Sequence, residues 1–236
     1  MAFHRIRLTT ALLAVLITLA VALTGSAAAA GLRVEGPRGT IFQGNVRPYV
    51  GTLRDQDGIR HTTAQSTALG ALVTASRNKP FPYTKTWYDG FGGGWAGFLV
   101  DSINGVQGGG SYWVFKVDNV LQNAGAGAVP VTANSHVLFY FTSFDADGNT
   151  LPTLGLIGPG HATVGAPLTY TVTKYDDQGV GTPAAGAWVW INGVGTKTDG
   201  AGHVTVRLGK PGLFSVRSTL QGTVRSRTLW VRAVTS

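Results

Sequence analysis

Three kinds of apolar pattern follow one another along this chain. Residues 8–23 form an almost unbroken apolar run. Between 63 and 76, Ala64, Ala68, Leu69, Leu72 and Val73 recur at the three-and-four spacing of one helix face. That spacing predicts a helix with Thr62 or Thr63 as N-cap, stopped by Asn78-Lys79-Pro80. Elsewhere the period is two. Runs at 32–35, 97–103, 112–117 and 137–142 predict strands, and Asn104-Gly105 predicts a hairpin turn between the second and third of them. One helix on a mostly antiparallel sheet is an α+β plan.

The stretch Asp145-Ala146-Asp147-Gly148-Asn149, with Pro152 and Pro159 behind it, interrupts this pattern and predicts a linker over 145–160. Beyond it, strands are expected at 168–175, 187–192, 203–208, 212–220 and 223–233, with no helical period. Turns arrive there at the spacing of a small all-β sandwich. Trp188 and Trp190 fall on one face, Val189 and Ile191 on the other, and at least one of these pairs is expected to line a core. The predicted organisation is a leader at 1–30, an α+β domain at 31–144, the linker, and a sandwich at 161–236. No clear internal repeat relates the two halves.

Composition narrows the picture. The 34 glycines and the low charged fraction of 13% favour strands joined by tight turns over long surface helices. With no cysteine, disulfides, thiolate zinc sites and cysteine nucleophiles are all excluded. His4, Arg5 and Arg7 before the first apolar run, and Ala27 to Ala30 after it, form the three regions of a cleavable export signal cut after Ala29 or Ala30. An uncleaved membrane anchor is the competing reading of the same run. Cleavage leaves no further membrane span, so a secreted protein is expected, either free or loosely attached to the cell surface.

The leader would take Arg5 and Arg7 with it, so the 19 basic residues fall to 17 against 11 acidic, a balance of +6. Arg225 and Arg227 share a face at strand spacing, with Arg217 on the strand before. They read either as a solvated edge that discourages strand-to-strand aggregation or as a site for an anionic cell-wall polymer. No nucleic-acid motif accompanies the charge, and no nucleic-acid partner is expected.

Fragments that suggest catalysis fail on context. Ser76-Arg77-Asn78-Lys79 has acyl-transfer spacing, but its serine falls at a helix end. Gly92, Gly94 and Gly97 precede a strand, whereas a phosphate loop must enter a helix. Asp145, Asp147 and Asn149 alternate like the start of a calcium loop, but the only glutamate is Glu35. His61, His136, His161 and His203 stand apart in sequence. No catalytic residue, metal site or cofactor is therefore expected. The candidate binding residues are Trp87, Tyr88, Phe91, Trp95 and Tyr112, rings interleaved with glycine that would stack on a small soluble ligand or a glycan. The bland alternative is that such rings simply fill the core.

Two resemblances sharpen these expectations. Gly97-Phe98-Leu99-Val100-Asp101-Ser102-Ile103-Asn104-Gly105, then Tyr112-Trp113-Val114-Phe115-Lys116-Val117-Asp118-Asn119, Gly125-Ala126-Gly127 and Val137-Leu138-Phe139-Tyr140-Phe141 resemble the transcobalamin C-terminal-like domain of bacterial secreted and surface proteins. Thr67-Ala68-Leu69 resembles that family's helix motif. The resemblance covers about residues 32–144 and implies a β-grasp-like fold with a theme of soluble-ligand binding. Vertebrate relatives use this domain as one wall of a cobalamin site beside a helical domain, and no helical partner domain is read here. Gly186 to Gly193, Thr198 to Val206 and Pro211 to Arg217 resemble an immunoglobulin-like module of bacterial surface proteins, which implies a spacer or adhesive role. The expected function is a secreted, non-enzymatic protein that captures a cobalamin-like cofactor or glycan through its first domain. A structural or adhesive protein that binds anionic wall polymer or another protein is the alternative.

Overall fold

The computed structural model describes residues 29–91 and 95–235. The expected leader lies almost wholly outside them. What is described is mostly β-structure, with one helix and several sheets, gathered round two large apolar cores.

The first unit contains β1 (Ala30–Glu35), β2 (Thr40–Val46), β3 (Gly51–Arg54), β4 (Arg60–Thr63), α1 (Ala68–Asn78), β5 (Tyr83–Phe91), β6 (Trp95–Ile103), β7 (Tyr112–Val117), β8 (Val120–Leu121) and β9 (His136–Thr142). Its main sheet has the order β2-β1-β9-β7-β8, with β1 and β9 parallel at the centre and the other pairs antiparallel. The apolar face of α1, with Leu69 and Leu72 fully buried, shares a core with Leu32 and Val34 of β1, Phe115 of β7 and Phe139 of β9. Each such side chain contributes about 1.5–3 kcal/mol on burial.

The helix starts later than expected. Thr67 is the N-cap, its Oγ1 accepting from Gly70 N at 3.1 Å. Thr62 and Thr63 are taken up by the β3–β4 hairpin, where Thr62 pairs with Thr52 through their hydroxyls at 2.9 Å. All three threonines have the capping chemistry, and cross-strand bonding decided which one capped. Asn104-Gly105 does form a left-handed turn, with φ of 54° and 74°. It does not join a hairpin, because β6 pairs with β5 while β7 pairs with β9 and β8. The hairpin turn of this region is instead Asp118-Asn119, between β7 and β8.

The second unit contains β10 (Thr153–Ile157), β11 (His161–Thr163), β12 (Pro167–Tyr175), β13 (Gly181–Pro183), β14 (Trp188–Ile191), β15 (Val194–Lys197), β16 (His203–Arg207), β17 (Gly212–Thr219) and β18 (Leu229–Val234). One sheet is built on β12, which pairs with β10, β13 and β16. The other has the order β11-β18-β17-β14-β15. Leu154, Tyr170, Val172 and Val204 from the first sheet meet Val189, Phe214, Val216 and Val231 from the second in one core. The 145–160 stretch expected as a linker therefore holds β10, an integral strand that pairs with β12. The strand expected over 223–233 begins only at Leu229. Residues 224–228 leave the sheet: Val224 and Ser226 bond within the second unit, to Pro152, Leu154 and Ser218, while Arg225 and Thr228 take partners in the first.

Those partners occupy the face of the first sheet turned away from α1. Lys116 Nζ donates to the Asp176 carbonyl at 2.7 Å and stands 3.1 Å from Asp177 Oδ1. The Asp177 carboxylate also accepts from Thr150 N at 2.7 Å and Thr150 Oγ1 at 2.6 Å, and the Thr150 hydroxyl meets Tyr140 Oη at 2.5 Å. Further along, Arg33 donates to the Arg225 carbonyl, Arg225 Nε lies 3.3 Å from Glu35, and Gln43 and Thr228 exchange two hydrogen bonds. Leu138, Tyr140 and Val224 form a small apolar patch between these polar clamps.

Burial opposes charge on this interface. It lowers the Arg33 pKa to about 10, so the guanidinium stays charged, and it pushes Glu35 up against the pull of Arg33 and Thr40. Burial lowers Lys116, with Asp177 resisting. Asp177 is pushed up by burial, but its bonds from Thr150 and Lys116 outweigh that and hold it below the ordinary carboxylate range.

Candidate functional site

Of the five rings singled out from sequence, the three whose side chains are described, Trp87, Tyr88 and Tyr112, lie on different surfaces. Trp87 is half-buried, its indole stacked on the His61 imidazole at 3.6 Å and meeting Phe98 edge-on at 5.0 Å. Its Nε1 donates to Asp89 Oδ1 at 2.5 Å. Phe98 belongs to the core under α1, so Trp87 covers that core beneath the β3–β4 hairpin. Tyr88, next in the same strand, pairs with Gly97 and takes the opposite face of the β5–β6 ribbon. Phe91 and Trp95 are register partners at the end of that ribbon, and their side chains lie outside the described residues. Tyr112 sits on the main sheet, 59% exposed, with its ring 6.0 Å from Phe144. It shares the face of Val114 and Lys116, away from α1.

One relationship under Trp87 was invisible in sequence. His61 Nε2 and Asp55 Oδ2 are 2.8 Å apart across the turn between β3 and β4. Burial pushes Asp55 up, yet the bonds from His61, Ile59 N and Asp57 N hold it below the ordinary carboxylate range. The pair fixes the imidazole as a platform for the indole, which is a packing role.

Two hollows mark the first unit. One of about 270 Å³ lies where β6 and β7 run side by side without pairing, lined by Leu99, Trp113, Phe115, Phe139 and Phe144. The other, of about 550 Å³, is a shallow trough among Arg38, Ile41, Lys79 and Phe81. Among the described residues, no three His, Asp or Glu side chains are grouped so as to hold a metal. No helix among them is long and apolar enough to cross a membrane.

Among the described residues, a group of exposed rings also stands on the second unit. Along β14 the alternation is resolved in one direction: Val189 is fully buried, while Trp188 is 39% exposed on the outer face. Trp190 lies beside Trp188 with ring centroids 5.5 Å apart and planes at 26°, and its Nε1 donates to Thr219 Oγ1 at 2.8 Å. Both indoles lean over Gly195 of the neighbouring strand, where a Cβ would fall 2.8 Å from Trp190 and 3.0 Å from Trp188. Glycine at 195 is what lets the two rings settle there. Lys197, directly opposite Trp188, places its Nζ 5.0 Å over that ring. Arg217 stands opposite Trp190, and Trp230, 58% exposed, stands opposite Ser215.

The outer face of this sheet thus carries three tryptophans and three cations, Lys197, Arg217 and Arg232. Sequence alternation had placed Trp188 and Trp190 together but left open which pair faced inward. Of the basic group noted in sequence, Arg225 turns inward to Glu35, whereas Arg227 remains exposed.

Residues 68–143 match the family described as a domain of unknown function (DUF4430). No curated protein matches the chain. Among solved structures, a crystal structure of the CARDB domain of the PF1109 protein from Pyrococcus furiosus, in complex with di-metal ions, is similar at 18% identity, over 36% of this chain and 96% of that one, with a TM-score of 0.27. A solution structure of the same domain has a TM-score of 0.29 at the same identity and coverage. The D00-D0 domain of intimin is similar at 15% identity, over 80% of this chain and 90% of that one, with a TM-score of 0.22.

Proposed function

We propose that this is a secreted, non-enzymatic binding protein that holds an extracellular carbohydrate polymer on the outer face of its second unit. The observation that carries the reading is the Trp188–Trp190 pair, nearly parallel, braced by Thr219 and seated over Gly195. Flat indoles held open to solvent stack on the apolar faces of sugar rings, and their bracing means little freedom is lost on binding. The first unit is read as β-grasp-like, because a mixed sheet with two parallel central strands lies across one helix. The second is read as an immunoglobulin-like sandwich of two sheets on one core. Export follows the leader at 1–30. A cut after Ala29 would keep Ala30, which is buried and paired with Val46, at the start of β1.

The test is co-sedimentation of purified protein with insoluble cell-wall polysaccharide, for the wild type and for Trp188→Ala/Trp190→Ala. Retention of the wild type and release of the double variant is the expected result. Equal behaviour of the two proteins, whether bound or free, refutes this surface.

A second reading, capture of a small soluble ligand by the first unit, has its own support in the hollow of about 270 Å³ lined by Trp113, Phe115 and Phe144, with Tyr112 beside Phe144. Titration with cobalamins and soluble oligosaccharides would then change the fluorescence of a variant that keeps Trp113 but lacks Trp188 and Trp190. No change across that panel removes this reading.

A further inference from the structure

Resting on the carbohydrate reading, the chemical class of the polymer can be taken further. The five strands of the outer sheet, β11, β18, β17, β14 and β15, contain no aspartate and no glutamate. The cations they present outward are Lys197, Arg217 and Arg232. Among the described residues, none of these three lies within ion-pair distance of a carboxylate, and neither does Arg227. None of these cations is held in an ion pair among the described residues, although Arg217 lies near enough to Glu35 to act on it electrostatically.

The arrangement is ordered as well as positive. Crossing the sheet from β15 to β18, Lys197 stands opposite Trp188, Arg217 stands opposite Trp190 on the other side, and β18 presents both Trp230 and Arg232. Each indole of β14 therefore has a cation directly across from it on a neighbouring strand, at a strand spacing of about 4.8 Å. A sugar chain laid across the strands would meet rings at its faces and cations at its substituents. At the border with the first unit the same sign continues. Arg33, Arg225 and Arg217 all act on the Glu35 carboxylate, and Arg227 adds its charge beside Arg33, so cations outnumber the carboxylate there. A neutral polymer has no use for this pattern, whereas each exposed cation adds attraction to an anionic one.

We infer that the outer face of the second unit binds an acidic polysaccharide, a sugar chain bearing carboxylate or phosphate groups. The tryptophans take the sugar rings, and Arg217 with Lys197 take the acidic groups between them.

The experiment measures binding of the full chain to polygalacturonate, to a sugar-phosphate polymer, to a neutral glucan and to a single-stranded oligonucleotide. It uses the wild type, Lys197→Ala/Arg217→Ala and Trp188→Ala/Trp190→Ala, each at low and high salt. The wild type is expected to prefer at least one acidic glycan over the neutral one by about tenfold at low salt, and to lose that preference at high salt. The cation variant is expected to bind acidic and neutral chains alike, and the tryptophan variant to bind neither. The two acidic arms separate carboxylate from phosphate as the recognised group. Equal wild-type affinity for acidic and neutral chains overturns the inference while leaving the carbohydrate reading in place. No binding to any glycan overturns both. Tighter binding to the oligonucleotide than to the acidic glycans also overturns both.

Discussion

The Lys116 ammonium and the Asp177 carboxylate lie 3.1 Å apart, both buried, one on β7 of the first unit's sheet and the other in the turn after β12 of the second. They join two cores that share little apolar contact. Taking both charges out of water is unfavourable, and the pair persists because Asp176, Thr150 and Tyr140 satisfy the surrounding polar atoms.

Breaking one side of this clamp strands the other. Lys116→Met is expected to lower stability by about 3 kcal/mol in urea unfolding, because Asp177 is left charged and unpaired in a dry site. Adding Asp177→Asn should cost less than the two single effects together, since the stranded charge is then gone.

Acid should act on the interface with two signs. Glu35 is pushed above its ordinary 4.5, so its charged form costs stability at neutral pH, and that cost is relieved as pH falls through the raised folded value. Asp177 is held below its ordinary 3.8, so its contribution is present above that value and is lost as pH falls through the depressed folded one. Thermal midpoints measured against pH should show Glu35→Gln losing the gain on mild acidification. Asp177→Asn should soften the fall at lower pH, with the part owed to Asp55 and Asp145, both also held low, remaining.

Gly195→Val should displace the indoles and leave the fold intact, because its Cβ would collide with ring edges at the margin of the sheet and not with backbone. The expected signature is altered near-ultraviolet circular dichroism and weakened polysaccharide binding, with a stability change within about 1 kcal/mol.

Gly70→Ala is the opposite case. A Cβ there would sit 2.3 Å from the Tyr49 carbonyl oxygen, where the chain entering β3 is hydrogen-bonded to α1. Backbone on both sides leaves no side chain to swing away, so a loss of about 1–3 kcal/mol is expected in chemical unfolding.

His61→Ala separates the two units' roles. Removing the imidazole uncovers one face of Trp87 and frees Asp55, and should cost about 1 kcal/mol and change tryptophan fluorescence. Polysaccharide binding should be unchanged, since Trp87 and the outer sheet of the second unit belong to different units.

Much of the secondary structure was legible because its causes are local. The β7 and β9 runs, the α1 stripe of Leu69, Leu72 and Val73, and the alternation of Trp188-Val189-Trp190-Ile191 can each be read within a few residues. The misses share a different cause. Thr62, Thr63 and Thr67 have the same capping chemistry, and only pairing with Thr52 and Gly51 removed the first two. Asn104-Gly105 made its turn, but the strands that it joins found other partners. Trp87, Tyr88 and Tyr112 were grouped by composition alone, and the sheet face that each takes is set by pairing that no local window contains.

By itself, the chain determined where it would be helical, where it would alternate, and that no cysteine chemistry would hold it together, since propensity and period are properties of neighbouring residues. Only the tertiary structure decided that Val189 goes inward and Trp188 outward, that Arg225 turns to Glu35 while Arg217 stays in water, and that Lys116 finds Asp177. A period of two names two faces without saying which is buried, and ion pairs across long stretches of chain depend on register and packing that no local window contains.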